Sequence, residues 1–188
     1  RIAAGTFLAA ILSTKGSGMV NGINPEHLPM ELKKLGEMGA KIDSTETSIN
    51  IEYRDNLQSI ELSTLPFPGI ATDLQPIFGS ALLLAEGTSI LTENVYDQRF
   101  QWIPEVQRMG ANIQTGWQHA MIKGVKTLSG APVHATDIRT GASLVIAALQ
   151  ADGLSTITGI DHINRGYEDI VASLTSLGST IEYNDKHG

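Results

Sequence analysis

The sequence has no cysteine among its 188 residues. This absence excludes a disulfide framework and a thiol nucleophile within the chain. A composition without cysteine is natural in a reducing compartment. We therefore expect a cytoplasmic protein.

Positive charge is also scarce, with 13 lysines and arginines against 20 aspartates and glutamates, for a net charge of -7. A protein that binds nucleic acid generally needs a basic face to neutralise phosphates, so no nucleic-acid partner is expected. An acidic protein can still place a few arginines around a small anion. The composition therefore leaves anionic small molecules as candidate ligands.

Long apolar runs are missing as well, since none reaches the roughly 18 to 20 residues that span a bilayer. The first twelve residues, "RIAAGTFLAAIL", have a basic start and an apolar body but no clear cleavage site after them. We interpret them as a buried helix rather than a signal peptide, and we expect no membrane partner.

Known metal and phosphate motifs are absent too. The five histidines are scattered, and there is no G-x-x-x-x-G-K loop. We expect neither a metal nor another cofactor.

The sequence does have a 41% content of hydrophobic residues, which is enough to build a core. Its length suits one large domain, and we assign residues 1–188 to a single one.

A repeated pattern runs through the chain three times. Gly39, Gly110 and Gly178 are each preceded by apolar residues at the same offsets and followed, three residues later, by isoleucine. The apolar positions are Leu32, Leu35 and Met38, then Ile103, Val106 and Met109, then Val171, Leu174 and Leu177. This spacing predicts an amphipathic helix that ends at the glycine, with a short strand after it.

A second landmark precedes the first in each copy. The segments "FLAAILS", "FGSALLLA" and "ASLVIAALQ" are strongly apolar, and an alternating strand pattern follows each one. Such helices should be buried on most sides. We predict one α/β domain with repeats at about 1–56, 57–125 and 126–188. The apolar helices should meet in the middle, and the third repeat should lack its last strand.

Charged residues differ between the copies, and two of them invite opposite interpretations. "ATD" occurs twice before an apolar helix, ending at Asp73 and at Asp137. Either aspartate could simply cap its helix, a contribution of about 1 kcal/mol. The stiff "PFPG" lead-in to Asp73 instead favours a carboxylate aimed for chemistry. Arg99 and Arg139 could form surface ion pairs, which contribute little, or bind an anion.

Four segments are similar to a known family: "FPGIATDLQPIF", "YDQRFQWIPEVQRMGA", "LSGAPVHATDIRTGASLVIAAL" and "HINRGYEDI". Together they resemble the UDP-N-acetylglucosamine enolpyruvyltransferases, and the resemblance runs along essentially the whole chain. It implies an inside-out α/β barrel domain of the EPSP synthase type, with three repeats of a βαβαββ unit and central helices. It also implies transfer of the enolpyruvyl group of phosphoenolpyruvate to the 3-hydroxyl of UDP-N-acetylglucosamine.

The resemblance assigns ligand contacts to six positions. They are Asp73, Val95, Arg99, Asp137, Arg139 and Arg165. Asp73 would be the base that takes the proton from the sugar hydroxyl, and it would also bind the sugar nucleotide. Val95 would contact the sugar nucleotide through its backbone, and Arg165 would contact phosphoenolpyruvate during catalysis. One departure is Asn164, which stands where the family usually has aspartate.

The resemblance further implies that this chain corresponds to the C-terminal domain. The family's reactive loop lies in the N-terminal domain, which would be the partner of this one, so we expect the chain alone to be inactive. Two alternatives remain: a shikimate-pathway enolpyruvyltransferase, and a non-catalytic repeat scaffold. An RNA-end cyclase with related repeats is disfavoured by the acidic charge.

Overall fold

The computed structural model describes residues 1–184. Its first unit contains two helices and three strands. They are α1 (Ile2–Ser13), β1 (Ser17–Asn21), α2 (Pro29–Glu37), β2 (Ala40–Ser44) and β3 (Ser48–Tyr53). The strands form an antiparallel sheet in the order β1-β3-β2. As predicted, a helix and strand are followed by a second helix, a strand and a returning strand.

The second unit has the full βαβαββ order. Its elements are β4 (Glu61–Ser63), α3 (Gln75–Ala81), β5 (Thr88–Thr92), α4 (Ile103–Arg108), β6 (Asn112–Gly116) and β7 (His119–Lys123). The sheet order is β4-β5-β7-β6, with β4 parallel to β5 and the other neighbours antiparallel. Strands β5, β7 and β6 repeat the arrangement of β1, β3 and β2.

The third unit begins in the same way. Its elements are β8 (Leu128–Ser129), β9 (Pro132–His134), α5 (Ile138–Gln150), β10 (Ala151–Asp152), β11 (Thr156–Thr158), α6 (Asp161–Asn164) and α7 (Ile170–Ser176). Strand β9 runs parallel to β11, as β4 does to β5, and β8 pairs with β10. The predicted α/β architecture of three similar units is thereby confirmed.

One predicted strand is wrong. No strand follows Gly178 in the described residues, although Ile181 matches the isoleucines of β2 and β6. Those two strands receive their hydrogen bonds from the returning strands β3 and β7. Within residues 1–184 no returning strand follows α7, so this segment has no neighbour to pair with. The last four residues of the third repeat lie outside the described part.

The core forms where the apolar helices meet. Helices α1, α3 and α5 contact one another, and their large apolar side chains, such as Leu8, Phe78 and Leu144, are fully buried. Because these helices have almost no polar face, burial against each other and beneath the sheets removes the most apolar surface from water. The prediction of central helices with sheets around them is confirmed.

The amphipathic helices end as expected, but the predicted apolar face is only partly correct. Gly39, Gly110 and Gly178 follow α2, α4 and α7 with φ of 108°, 97° and 96°, the left-handed conformation that ends a helix. Leu177 is 49% exposed, because no returning strands cover α7 among the described residues. In α2 the inward face contains the fully buried Glu31.

Glu31 lies one helical turn before Leu35 and two before Met38, which are both fully buried. This face, rather than the face through Leu32, points into the protein, and Leu32 is only partly buried. Burial raises the pKa of Glu31, and the charge of Arg1 offsets part of the rise.

Among the described residues, no helix is long and apolar enough to cross a membrane.

At Gly79, α3 leaves no room for a side chain beside Trp102, the residue directly before α4. A Cβ added at Gly79 would lie 2.4 Å from Trp102, which is fully buried. We predict that Gly79→Ala lowers the free energy of unfolding by about 1 to 3 kcal/mol, because the packed core must shift. Gly36→Ala is the matched control, since a Cβ there meets no atom of the described residues within 4 Å.

In that control, alanine in a helix interior should stabilise the protein by about 0.5 to 1 kcal/mol. Urea unfolding of both variants measures the two changes. Equal effects of the two substitutions would contradict the packing described for Gly79.

Candidate active site

The candidate site lies where α3 and α5 begin, at one end of the central helices. A 3₁₀ turn over Thr72–Leu74 leads directly into α3, and Asp137 is the N-cap of α5. Because α3 and α5 pack side by side in the same direction, their first turns are neighbours. Two segments that are more than sixty residues apart in the sequence therefore share one site.

Asp73 is not a helix cap. Neither the 3₁₀ turn nor α3 has a side-chain cap, so the capping interpretation of this residue is wrong. The Oδ1 atom of Asp73 instead accepts a hydrogen bond from Nε of Arg139 and lies 3.5 Å from Nη2 of Arg99. Its Oδ2 atom accepts no hydrogen bond within the described residues. We call Asp73, Arg99 and Arg139 the Asp73 cluster.

Arg99 contacts Thr72 and Tyr96 in addition to Asp73. Its Nε donates to Oγ1 of Thr72 at 3.1 Å, and its guanidinium lies 4.5 Å from the ring centre of Tyr96. The side chain is 13% exposed, so it is held far more firmly than an ordinary surface arginine. A guanidinium held this way loses little conformational freedom when it binds an anion.

Arg139, at the start of α5 in the third unit, contacts Asp73 of the second unit. The hydrogen bond to Asp73 raises the pKa of Arg139, with a further rise from the charges of Asp73 and Asp137. The backbone of Arg139 is fixed by the cap of α5, because its N–H donates to Oδ1 of Asp137 at 2.7 Å. The arginine is 35% exposed, which leaves part of its charge open to a ligand.

Asp137 does cap its helix. Its Oδ1 also accepts from the N–H of Thr140 at 3.2 Å, and its Oδ2 accepts from the Thr140 hydroxyl at 2.8 Å. Burial alone would raise the pKa of Asp137, but these bonds and the N–H of Arg139 lower it below its usual value. The capping interpretation is therefore confirmed for Asp137, while its contact with substrate stays a prediction.

Val95 lies in the loop after β5 and is half exposed. Its N–H donates to Oε1 of Glu93 at 2.9 Å, so the carbonyl is the backbone group that remains for a ligand. Glu93 is fully buried and was not among the predicted site residues. Its only sequence signal is an acidic residue directly after an alternating strand, which more often marks a solvated loop.

Arg165 forms no hydrogen bond or ion pair with the Asp73 cluster. It is exposed, at the end of α6, and makes no side-chain hydrogen bond or ion pair with the described residues.

Tyr167, two residues after Arg165, is buried and shares a 2.7 Å hydrogen bond with Thr6 of α1. Burial raises the pKa of Tyr167, and the charge of Asp73 adds to the rise. The Asn164 side chain accepts from the Tyr183 hydroxyl at 3.1 Å.

A cavity of about 340 Å³ opens beside the Asp73 cluster. Its lining includes Tyr96, Arg99, Asp137 and Arg139. Two arginines at one small cavity can hold a phosphate or a carboxylate through charge-assisted hydrogen bonds. A larger cavity of about 780 Å³ beside α5 and α7 contains none of the six predicted site residues. Within residues 1–184 no cluster of histidine, aspartate or glutamate could hold a metal ion.

Comparison with known proteins gives consistent matches. The family model of EPSP synthase (3-phosphoshikimate 1-carboxyvinyltransferase) matches residues 1–174. UDP-N-acetylglucosamine 1-carboxyvinyltransferase of Thermotoga maritima is 45% identical over 186 residues, which is 99% of this chain and 44% of that protein. The protein of the same name from Nocardia farcinica is 42% identical, over 97% of this chain and 43% of its own length. The chain therefore spans less than half the length of these relatives.

Solved structures share the fold. The enolpyruvyl transferase NikO from Streptomyces tendae matches with a TM-score of 0.84 and 26% identity, over 94% of this chain and 42% of that one. EPSP synthase from Acinetobacter baumannii matches with a TM-score of 0.79 and 22% identity, over 96% of this chain and 46% of that one. The second of these shows the fold alone.

The cap at Asp137 should make stability depend on acid pH. Its pKa is lowered on folding, so its contribution is full above the ordinary value of 3.8 and is lost as the pH falls below it. Asp137→Ala should cost about 0.5 to 2 kcal/mol at neutral pH. Asp137→Asn, which can still cap, should cost little there and should lack the part of the acid dependence that Asp137 contributes.

Thermal unfolding of the three proteins between pH 3 and pH 7 measures this difference. A wild-type protein and an Asp137→Ala variant of equal stability at pH 7 would contradict the cap.

Proposed function

Because the chain belongs to the EPSP synthase family, we propose that it forms one domain of an enolpyruvyl transferase whose acceptor is UDP-N-acetylglucosamine. The 3-hydroxyl oxygen of the sugar would form a bond to C2 of phosphoenolpyruvate, and the bond from C2 to phosphate oxygen would break, releasing phosphate. The names of the relatives at 45% and 42% identity support this acceptor. The reaction would be the first committed step of peptidoglycan synthesis.

The proposal rests mainly on the hydrogen bonding of the two carboxylate oxygens of Asp73. Its Oδ1 is held by arginines from the second and third units, while its Oδ2 has no hydrogen-bond partner in the described residues. A carboxylate anchored through one oxygen presents the other in a fixed direction. Alcohols are poor nucleophiles near neutral pH, and a positioned general base contributes about 10² to 10⁴ in rate. We infer that Oδ2 takes the proton of the sugar hydroxyl.

The arginines account for the other substrate. Phosphoenolpyruvate carries a phosphate and a carboxylate, and arginine matches both geometrically. Arg99 and Arg139 line the cavity beside Asp73. Arg165 is exposed and has no side-chain partner in the described residues, so its guanidinium is available to a ligand. The Val95 carbonyl remains for a hydrogen bond with the sugar nucleotide, because its N–H already donates to Glu93. Asp137 would act near the ligand mainly by fixing the backbone of Arg139.

The proposal includes a partner domain. The chain spans about 44% of the Thermotoga maritima relative, and we propose that an N-terminal domain with the reactive loop completes the site. The chain alone should then be inactive. A cytoplasmic location is also part of the proposal. We refer to this chain joined to that N-terminal domain as the two-domain protein.

The acceptor is tested by phosphate release from phosphoenolpyruvate with the two-domain protein. UDP-N-acetylglucosamine and shikimate 3-phosphate are offered separately. Release with the UDP-sugar alone supports the proposal, and the 188-residue chain should release none. Release with shikimate 3-phosphate alone would keep the chemistry and replace the acceptor. A folded protein that releases phosphate with neither would favour a non-catalytic scaffold.

The base is tested by Asp73→Asn in the two-domain protein. Asparagine keeps the size of the side chain but cannot accept the proton, so kcat should fall by about 10² to 10⁴. Asp43→Asn is the matched control, because Asp43 also forms an ion pair, with Lys41 at 3.2 Å, but on the outer sheet of the first unit. The control should retain full activity. Turnover of Asp73→Asn within about twofold of wild type would refute the role of Asp73 as base.

A further inference from the structure

Glu93 is a buried carboxylate that the proposed reaction leaves without a role. It follows directly after β5, and its residue is fully buried. Burying an unpaired charge is costly, and a carboxylate persists inside a protein when hydrogen bonds compensate for lost water. Its bonding partners therefore indicate what it does.

Four donors converge on one oxygen of Glu93. Its Oε1 accepts from the hydroxyls of Thr64 and Thr72 at 2.7 and 3.0 Å, and from the backbone N–H groups of Val95 and Tyr96 at 2.9 and 3.0 Å. Its Oε2 is buried and has no hydrogen-bond partner in the described residues. One atom thus ties the loop after β5 to the turn that leads into α3.

Two of these four hydrogen bonds lead to predicted ligand contacts, to Val95 directly and to Arg99 through Thr72. The N–H bonds fix the loop that presents Val95 and Tyr96. The Thr72 hydroxyl donates to Glu93 and accepts from Nε of Arg99, so the carboxylate is linked to that guanidinium through one hydroxyl. Thr72 is also the residue directly before Asp73.

We propose that Glu93 is a positioning residue for this active site, an inference that rests on the proposed function. Its carboxylate sets the Val95 loop for the sugar nucleotide and, through Thr72, sets Arg99 and the turn carrying Asp73. Glu93 itself touches neither substrate. It acts by holding two elements of the second unit in one fixed relation.

The charge of Glu93 is essential to this role, because a neutral isostere has no good orientation. In Glu93→Gln, an amide oxygen placed at Oε1 accepts more weakly and leaves a buried NH₂ without an acceptor at Oε2. The opposite orientation points the NH₂ at four donors. Either way the loop and the turn lose their common anchor.

The first test uses the two-domain protein with UDP-N-acetylglucosamine and phosphoenolpyruvate. Misplaced catalytic groups lower rates by up to about 10²-fold. We expect Glu93→Gln to raise KM for the UDP-sugar and to lower kcat, so that kcat/KM falls by about tenfold or more. Glu93→Asp keeps the charge and should recover part of both values.

Ser89→Ala is the matched control. Ser89 is fully buried at the other end of β5 and accepts from the N–H of Ile60 at 3.1 Å. Its loss should lower stability without changing kcat or KM. If Glu93 were merely structural, Glu93→Gln would behave like this control. Unchanged kcat and KM in a folded Glu93→Gln protein would overturn the proposal.

Amide hydrogen exchange on the 188-residue chain provides a second test that needs no activity. The N–H groups of Val95 and Tyr96 should exchange at least about tenfold faster in Glu93→Gln, while amides of β5 paired with β7 stay protected. Unchanged exchange at Val95 and Tyr96 would overturn the positioning claim. If the wild-type two-domain protein releases no phosphate, the proposed function fails, and this test still decides the claim about Glu93.

If Glu93→Gln does not fold, Thr72→Val takes its place. Valine keeps the shape of threonine but removes the hydroxyl between Glu93 and Arg99. We expect kcat/KM to fall by about tenfold and Thr72→Ser to restore most of it. Equal activity of the valine and serine variants would overturn the link through Thr72.

Discussion

The arrangement of this protein depends on the burial of three apolar helices against one another. Helices α1, α3 and α5 are predominantly apolar, so most of the surface of each is covered by the other two and by the sheets. Since they pack with their first turns at the same end, the loops before α3 and α5 become neighbours. The contact between Asp73 and Arg139 across two units is a consequence of this packing.

At that end of the helices, hydrogen bonds fix the orientation of the charged side chains. Asp137 accepts from the backbone N–H of Arg139, and Arg139 donates to one oxygen of Asp73. Glu93 accepts from Thr72, which lies in the turn that carries Asp73. The three carboxylates have separate roles, since Asp137 caps a helix, Glu93 anchors a loop, and one oxygen of Asp73 accepts no hydrogen bond from residues 1–184. The cavity beside them is lined by Arg99 and Arg139 although the chain as a whole has a net charge of -7.

Much of the fold was predictable, because helix period, terminal glycines and apolar runs are local signals that repeat three times. The failures occurred where pairing or packing decided the outcome. The segment at Ile181 has strand character but no neighbouring strand in the described residues. Glu31 is fully buried although it is charged, because the orientation of α2 is set by its contacts with other elements. Glu93 was missed for the same reason: its four donors come from three separate sequence segments.

The sequence by itself determined the unit, its threefold repetition, the apolar helices and the positions of Asp73, Arg99, Asp137 and Arg139. It left open whether each aspartate caps a helix, since both stand in the same "ATD" context. The tertiary structure decided this by contact: Asp137 meets the free N–H groups of its own helix, whereas Asp73 meets two guanidinium groups. Local signals reflect interactions between residues near in sequence, but the role of a charged side chain depends on which distant groups packing brings within hydrogen-bond distance.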